Sequence, residues 1–150
     1  IIVTNKGRVE QVGTPLQIYR KPETAFTAKF FGQAGFLKDY HAFKEFDDIP
    51  GYDSAFTRPE FVKITRKDEV EKYTSSSYEG VVKDVCFRGT HIELRVSIHD
   101  SEVIATRRLD EQPIEAGETV NVFLYRVFVT KGDEVHQLLN KALGEDYVFI

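Results

Sequence analysis

The feature that most constrains the fold is a strict two-residue alternation between positions 91 and 99. The apolar set is Ile92, Leu94, Val96 and Ile98, and the polar set between them is His91, Glu93, Arg95, Ser97 and His99. Successive side chains of a β-strand point to opposite faces, so this pattern predicts a strand with one buried and one solvated face. Such a strand needs neighbours to pair with, and we therefore expect the chain to fold around β-sheet.

Further strands are predicted on both sides of this one. Residues 80–87 and 102–107 are expected to flank it, and residues 118–130 are apolar on both faces, as one long central or barrel strand would be. Turn signals such as Ile49-Pro50-Gly51 and Arg88-Gly89 punctuate the region. Residues 36–150 are thus predicted to form a mainly β unit of the OB-like barrel type.

The hydrophobic residues before this unit follow a different pattern. Residues 1–5 and 8–12 predict a short β-hairpin, and Thr14-Pro15 with Gln17 matches the N-cap, first position and capping box of a helix. Pro22 stops that helix, and residues 23–31 predict a second one that ends at Gly32. We predict a domain boundary near residues 32–36. Residues 1–32 are too small to bury a core of their own, so they need another part of a protein to pack against. Its opening on an apolar run without Met suggests part of a longer polypeptide.

Composition excludes several function classes. The net charge of −4 and pI of about 5.6, without a Lys/Arg block, argue against a nucleic-acid partner. Cys86 is the single cysteine, so neither an intrachain disulfide nor a four-cysteine zinc site is possible, and a reducing cytosolic compartment fits best. No apolar run approaches the roughly 18 residues that a membrane-spanning helix needs.

Several stretches resemble a known family. Residues 5–15, followed by Tyr19 and Pro22, match the segment that closes the nucleotide-binding domain of importer-type ABC ATPases; its distinctive residues are Gly7, Gly13, Thr14, Pro15, Tyr19 and Pro22. Arg58-Pro59-Glu60 resembles a turn of the accessory domain in that family. Residues 80–85 and 87–89 resemble a strand and a turn of its TOBE module, a small OB-like barrel. The chain is thus similar to the carboxy-terminal accessory region of a bacterial ABC-importer ATP-binding subunit, and more to the sulfate or molybdate group than to sugar importers.

The resemblance implies a non-catalytic role. The chain has no glycine-rich phosphate loop ending in Lys-Ser/Thr, no Leu-Ser-Gly-Gly signature and no Asp-Glu strand end before a histidine, so it lacks the groups that cradle ATP. ATP and magnesium would belong to the parent protein, and no cofactor is expected here. The implied role is regulation and dimerisation, with a second copy, the rest of the ATPase subunit and the membrane subunits as partners. The implied location is cytoplasmic, peripheral on the inner face of the plasma membrane.

Other interpretations of particular residues stay open. Arg58, Arg88, Arg107 and Arg108 could form an anion pocket, because a guanidinium matches the oxygens of sulfate or molybdate. The alternative function is therefore a ligand-sensing domain for an oxyanion, and a third is an OB-type nucleic-acid binder, which the charge disfavours. His91 and His99 lie too far apart on one strand to share a metal ion. The carboxylates Asp47, Asp48, Glu69 and Glu71 are expected to be solvated rather than catalytic.

Overall fold

The chain starts with the predicted hairpin. In the computed structural model, which describes residues 1–144, strands β1 (Ile2–Asn5) and β2 (Arg8–Val12) pair antiparallel. Lys6 and Gly7 form the turn between them with φ values of 49° and 77°. A left-handed conformation costs glycine nothing, which explains Gly7 at this position. The hairpin prediction is confirmed.

Two short helices follow. Helix α1 (Pro15–Arg20) begins with the predicted capping box: Thr14 Oγ1 accepts from Gln17 N at 3.2 Å, and Gln17 Oε1 accepts from Thr14 N at 2.9 Å. Pro22 is buried directly after it. Helix α2 (Ala25–Phe30) is shorter than predicted, because Thr24 is its N-cap and Phe31 is already extended. Gly32 follows with a φ of 77°.

The rest of the described chain forms two antiparallel sheets. The first has the order β11-β10-β4-β3 and the second β5-β9-β6-β7-β8. Their strands are β3 (Gly35–Leu37), β4 (Ser54–Thr57), β5 (Val62–Arg66), β6 (Tyr78–Phe87), β7 (Ile92–Ile98), β8 (Ser101–Arg107), β9 (Thr119–Leu124), β10 (Arg126–Lys131) and β11 (Glu134–Leu139). Short 3-10 turns span Tyr40–Ala42, Pro59–Phe61, Thr74–Ser76 and Lys141–Leu143. The five-stranded sheet curls into a half-barrel, which confirms a mainly β, OB-like fold.

One strand prediction was wrong. Residues 118–130 do not form a single strand, because the chain leaves one sheet and enters the other at Tyr125. Strand β9 pairs with β5 and β6, whereas β10 pairs with β4 and β11. Both halves are apolar because each lies inside its own sheet. The sequence pattern shows this burial but not the change of sheet.

The core lies inside the half-barrel. Leu94 and Val96 on β7 are 0% exposed and Ile98 is 1% exposed, as the alternation predicted. They pack with buried Val103, Val120 and Val122 from neighbouring strands. Glu93 on the other face departs from the prediction, since Arg88 and Gln33 cover it and leave it 6% exposed.

A glycine brings the two sheets together. A Cβ atom on Gly35 would lie 2.9 Å from Cα of Val103 and 3.0 Å from the carbonyl oxygen of Glu102. Only glycine permits β3 to lie this close to β8. Within residues 1–144, no helix has the length and apolar character needed to span a membrane.

Candidate functional site

Arg58 is the centre of the contacts between the two helices and the sheets. It follows β4 directly and precedes the 3-10 turn that Pro59 begins. Its side chain is 1% exposed. Nη1 donates to the carbonyl oxygen of Tyr19 at 2.5 Å, and Nη2 donates to that of Ala28 at 3.0 Å. One guanidinium therefore binds the ends of both helices to the end of a strand.

Aromatic rings enclose the same guanidinium. Its Cζ atom lies 4.0 Å from the ring centroid of Tyr19 and 4.8 Å from that of Phe128. Phe128 in turn stacks on Phe56 at 5.1 Å between centroids. A cation over aromatic faces is attracted by their negative π-surfaces, which offsets part of the lost hydration. Burial lowers the pKa of the Arg58 guanidinium, and the neighbouring Tyr19 and Glu60 act in the opposite direction.

A hydrogen bond on one side and a glycine on the other fit Tyr19 into its place. Its hydroxyl donates to the Glu60 carboxylate. Burial, reinforced by this hydrogen bond and by the negative charge of Glu60, raises the pKa of Tyr19 to about 12. On the other side, a Cβ atom on Gly32 would lie 2.7 Å from the Tyr19 ring, so the glycine leaves room for it. We call Tyr19, Ala28, Arg58, Glu60 and Phe128 the Arg58 junction.

The residues that carried the family resemblance thus divide into two groups. Tyr19 meets Arg58 and Glu60 at the junction although about 40 positions separate it from them in the chain, and Pro59 lies between those two residues. Gly7, Gly13, Thr14 and Pro15 shape the hairpin and the start of α1 instead, and Pro22 follows the end of that helix.

Sequence reasoning missed several members of this region. Ala28 and Phe128 contribute a carbonyl oxygen and a ring, neither of which has a sequence signal. Gln11 is also buried, and it donates from Nε2 to the carbonyl oxygen of Lys21 at 3.0 Å while its Oε1 accepts from Glu23 N at 3.1 Å. The one sequence signal for Gln11 was its position as a polar residue within a predicted hairpin strand.

The four arginines proposed for an anion site do not come together. Arg58 lies in the junction, Arg88 donates to Glu93 at 3.1 Å, and Arg108 is ion-paired with Asp110. Arg107 and Arg108 do share the lining of one cavity of about 170 Å³ at the end of the half-barrel.

Arg107 is fully engaged within this region. It is buried and donates to Glu69 Oε1 at 2.6 Å and to the carbonyl oxygen of Gln112 at 2.8 Å. Burial acts to raise the pKa of Glu69, but the hydrogen bonds from Arg107 and from the Arg66 backbone lower it below its ordinary value. Glu69 is therefore not the freely solvated carboxylate expected from the sequence. Asp47 and Asp48 are exposed, as expected.

The described residues offer no obvious metal centre. Among residues 1–144, no group of three or more His, Cys, Asp or Glu side chains is placed to hold an ion. His99 instead packs edge-on against Phe43 and Tyr78, with ring centroids 5.2 and 5.3 Å away.

Comparison with known proteins identifies the half-barrel. Residues 56–125 match the TOBE domain family. These residues are a TOBE domain. Relatives include the spermidine/putrescine import ATP-binding protein PotA of Clostridium novyi, 33% identical over 148 residues and 87% of this chain. The protein of the same name in Protochlamydia amoebophila is 27% identical over 146 residues and 80% of this chain. The chain spans about 40% of the length of these curated relatives.

The resemblance to the accessory region of an ABC-importer ATP-binding subunit is thereby confirmed. The relatives named here carry spermidine and putrescine in their names, so they lend no support to the sulfate or molybdate grouping. The TOBE match begins at Phe56 and includes Arg58 and Glu60. Tyr19 and Ala28 lie before it, so the Arg58 junction joins the TOBE domain to the segment that precedes it. The division into units at 1–32 and 36–150 stays a prediction.

Proposed function

We propose that this chain is a non-catalytic regulatory and dimerising module of the ATP-binding subunit of a bacterial ABC importer. The observation that carries the proposal is the Arg58 junction. It links a segment that resembles the end of a nucleotide-binding domain to a TOBE domain through buried, directional contacts.

The junction suits transmission of movement between the two parts. Two charge-assisted hydrogen bonds and two aromatic faces hold the guanidinium, so α1, α2 and β4 shift together. A flexible linker would let each part move independently. A change in the position of the TOBE domain would therefore reach the helices that lead back toward the nucleotide-binding domain.

The names of the relatives guide the remaining assignments. They point to spermidine or putrescine as the imported solute. The resemblance to importer ATPases adds a peripheral position on the cytoplasmic face of the membrane to the proposal. The partners would be a second copy of the chain, the rest of the ATPase subunit and the membrane subunits. ATP and magnesium would bind in the parent protein and not to this chain.

Sedimentation equilibrium of the whole chain tests the dimerising role. We expect a mass of about twice the 17.2 kDa of one chain at micromolar concentration. Exposed apolar side chains of the first 30 residues, such as Ile2 and Phe30, could also cause association. The variant with Ile2→Ser and Phe30→Ser should therefore remain dimeric. A monomeric wild-type chain would remove the dimerising role.

The oxyanion sensor is the second proposal, and the observation that favours it is that Arg107 and Arg108 line the same cavity. Each of the four candidate guanidiniums already meets a carbonyl oxygen or a carboxylate. Calorimetric titration with sulfate and with molybdate separates the two proposals. We expect no binding heat with either anion, whereas saturable micromolar binding that Arg107→Ala abolishes would favour the sensor.

A further inference from the structure

A cavity opens at the end of the half-barrel. It has a volume of about 170 Å³ and its walls are mainly apolar, formed by Val85, Ile92, Leu94, Leu109, Pro113 and Ile114. Two arginines also line it and both are already paired, since Arg107 is held by Glu69 and by the carbonyl oxygen of Gln112, and Arg108 pairs with Asp110. The cavity thus offers a mainly apolar space in which both guanidiniums already have partners.

An exposed aromatic ring lies at the edge of this cavity. Phe87 is 66% exposed and pairs directly with Ile92 across β6 and β7, while Val85 pairs with Leu94. Directly opposed residues of antiparallel strands project to the same face of the sheet. Phe87 therefore lies on the face that carries the cavity wall, next to the opening. A protruding ring and an apolar cavity are neighbours on one surface.

The ring and the cavity match in size. A buried apolar cavity of about 150 Å³ is known to accommodate benzene, the size of a phenylalanine ring. Phe87 cannot enter the cavity of its own chain while it extends from the strand tip into solvent. A second chain that approaches face to face can supply its ring.

The charges around the opening favour a copy of the same surface. Arg108 and Asp110 are both exposed, carry opposite charges and pair with each other. Two adjacent charges of opposite sign can meet the same pair on a second copy in reversed order under a two-fold rotation, whereas a nucleic-acid partner requires a basic surface.

We propose that two copies of this chain associate through a two-fold interface in which Phe87 of each copy enters the cavity of the other. Such an isologous interface requires that a group and its receptor lie on the same surface, as they do here. The inference rests on the proposed dimerising role and specifies its surface: the β6–β7 turn and the segment between β8 and β9.

Sedimentation equilibrium of the full chain and of single variants tests this interface. We expect Phe87→Ala to weaken the dimer by about 10- to 100-fold, as removal of a central aromatic anchor does. Leu109→Trp, which narrows the opening from the other side, should weaken it similarly. Phe30→Ala is the matched control, because Phe30 is 62% exposed but lies on α2 away from the cavity, and it should leave the dissociation constant within about twofold. Equal far-UV circular dichroism and urea midpoints show that the variants fold.

The outcomes separate this inference from the function on which it rests. A monomeric wild-type chain contradicts both the proposed interface and the dimerising role. If that monomer binds indole saturably and Leu109→Trp loses this binding, the cavity is instead a site for a small apolar ligand. A wild-type dimer that Phe87→Ala and Leu109→Trp leave intact contradicts the interface alone. If Phe30→Ala weakens that dimer instead, the contact lies on the N-terminal segment.

Discussion

At the residue scale, Arg58 makes the contacts that hold the junction together. Its guanidinium supplies two hydrogen bonds to carbonyl oxygens and is enclosed by two rings, and its Nε has no hydrogen-bond partner within residues 1–144. We expect Arg58→Ala to lower the free energy of unfolding by about 2–4 kcal/mol, because two buried acceptors lose a charged donor. Urea denaturation followed by circular dichroism measures this.

A matched pair of variants shows whether the geometry of Arg58 matters. Arg58→Lys keeps the charge but cannot donate in two directions from one plane, so it should recover only part of the loss. Arg108→Ala removes a guanidinium that is 77% exposed, and it should change the free energy of unfolding by less than about 0.5 kcal/mol. If Arg58→Ala costs no more than Arg108→Ala, the junction does not stabilise the fold.

Tyr19 gives the junction a dependence on alkaline pH. Its pKa is about 12 in the folded chain against an ordinary value of 10.0, because burial and then the bond to Glu60 oppose ionisation. A raised folded-state pKa means that this contribution to stability is complete below pH 10 and is lost as pH rises from 10 to 12. Tyr19→Phe should therefore have a smaller decline in the free energy of unfolding across this window. Identical slopes for both proteins in urea titrations at several pH values would contradict the assignment.

At the element scale, the alternation in β7 determines the core of the half-barrel. Leu94 is 0% exposed and lies between β6 and β8. Leu94→Ala should lower the free energy of unfolding by about 2–5 kcal/mol, since it leaves a cavity in a closed core. The adjacent Arg95→Ala, on the exposed opposite face, should cost less than about 0.5 kcal/mol. Similar losses for both variants would mean that the two faces of the strand are not buried differently.

At the scale of the whole molecule, we propose that the chain supplies contacts and surfaces and does not bind nucleotide. Its sequence contains no glycine-rich phosphate loop, and the cavity at the end of its half-barrel is mainly apolar. We therefore expect isothermal titration calorimetry with Mg-ATP to detect no micromolar binding, and a phosphate-release assay to detect no hydrolysis. A subunit of the same family that retains its phosphate loop serves as the positive control. Micromolar affinity of this chain for ATP would contradict the non-catalytic assignment.

Local pattern alone determined much of this protein. The two-residue period of β7, the turn at Lys6 and Gly7 and the capping box at Thr14 follow from interactions within a few residues, so the sequence was sufficient for them. The resemblance of Tyr19 and Arg58-Pro59-Glu60 to family motifs likewise indicated the right family. None of these signals depends on which distant segments meet.

The tertiary structure decided where distant residues come together. Residues 118–130 divide between two sheets because β9 and β10 find different partner strands, which no periodicity within the segment can encode. Glu93 is buried because Arg88 and Gln33 fold over it. Arg58 binds backbone oxygens of Tyr19 and Ala28, and backbone oxygens carry no side-chain identity for a sequence to display. Long-range contacts therefore created the junction from parts whose local sequence showed only a turn and two helices.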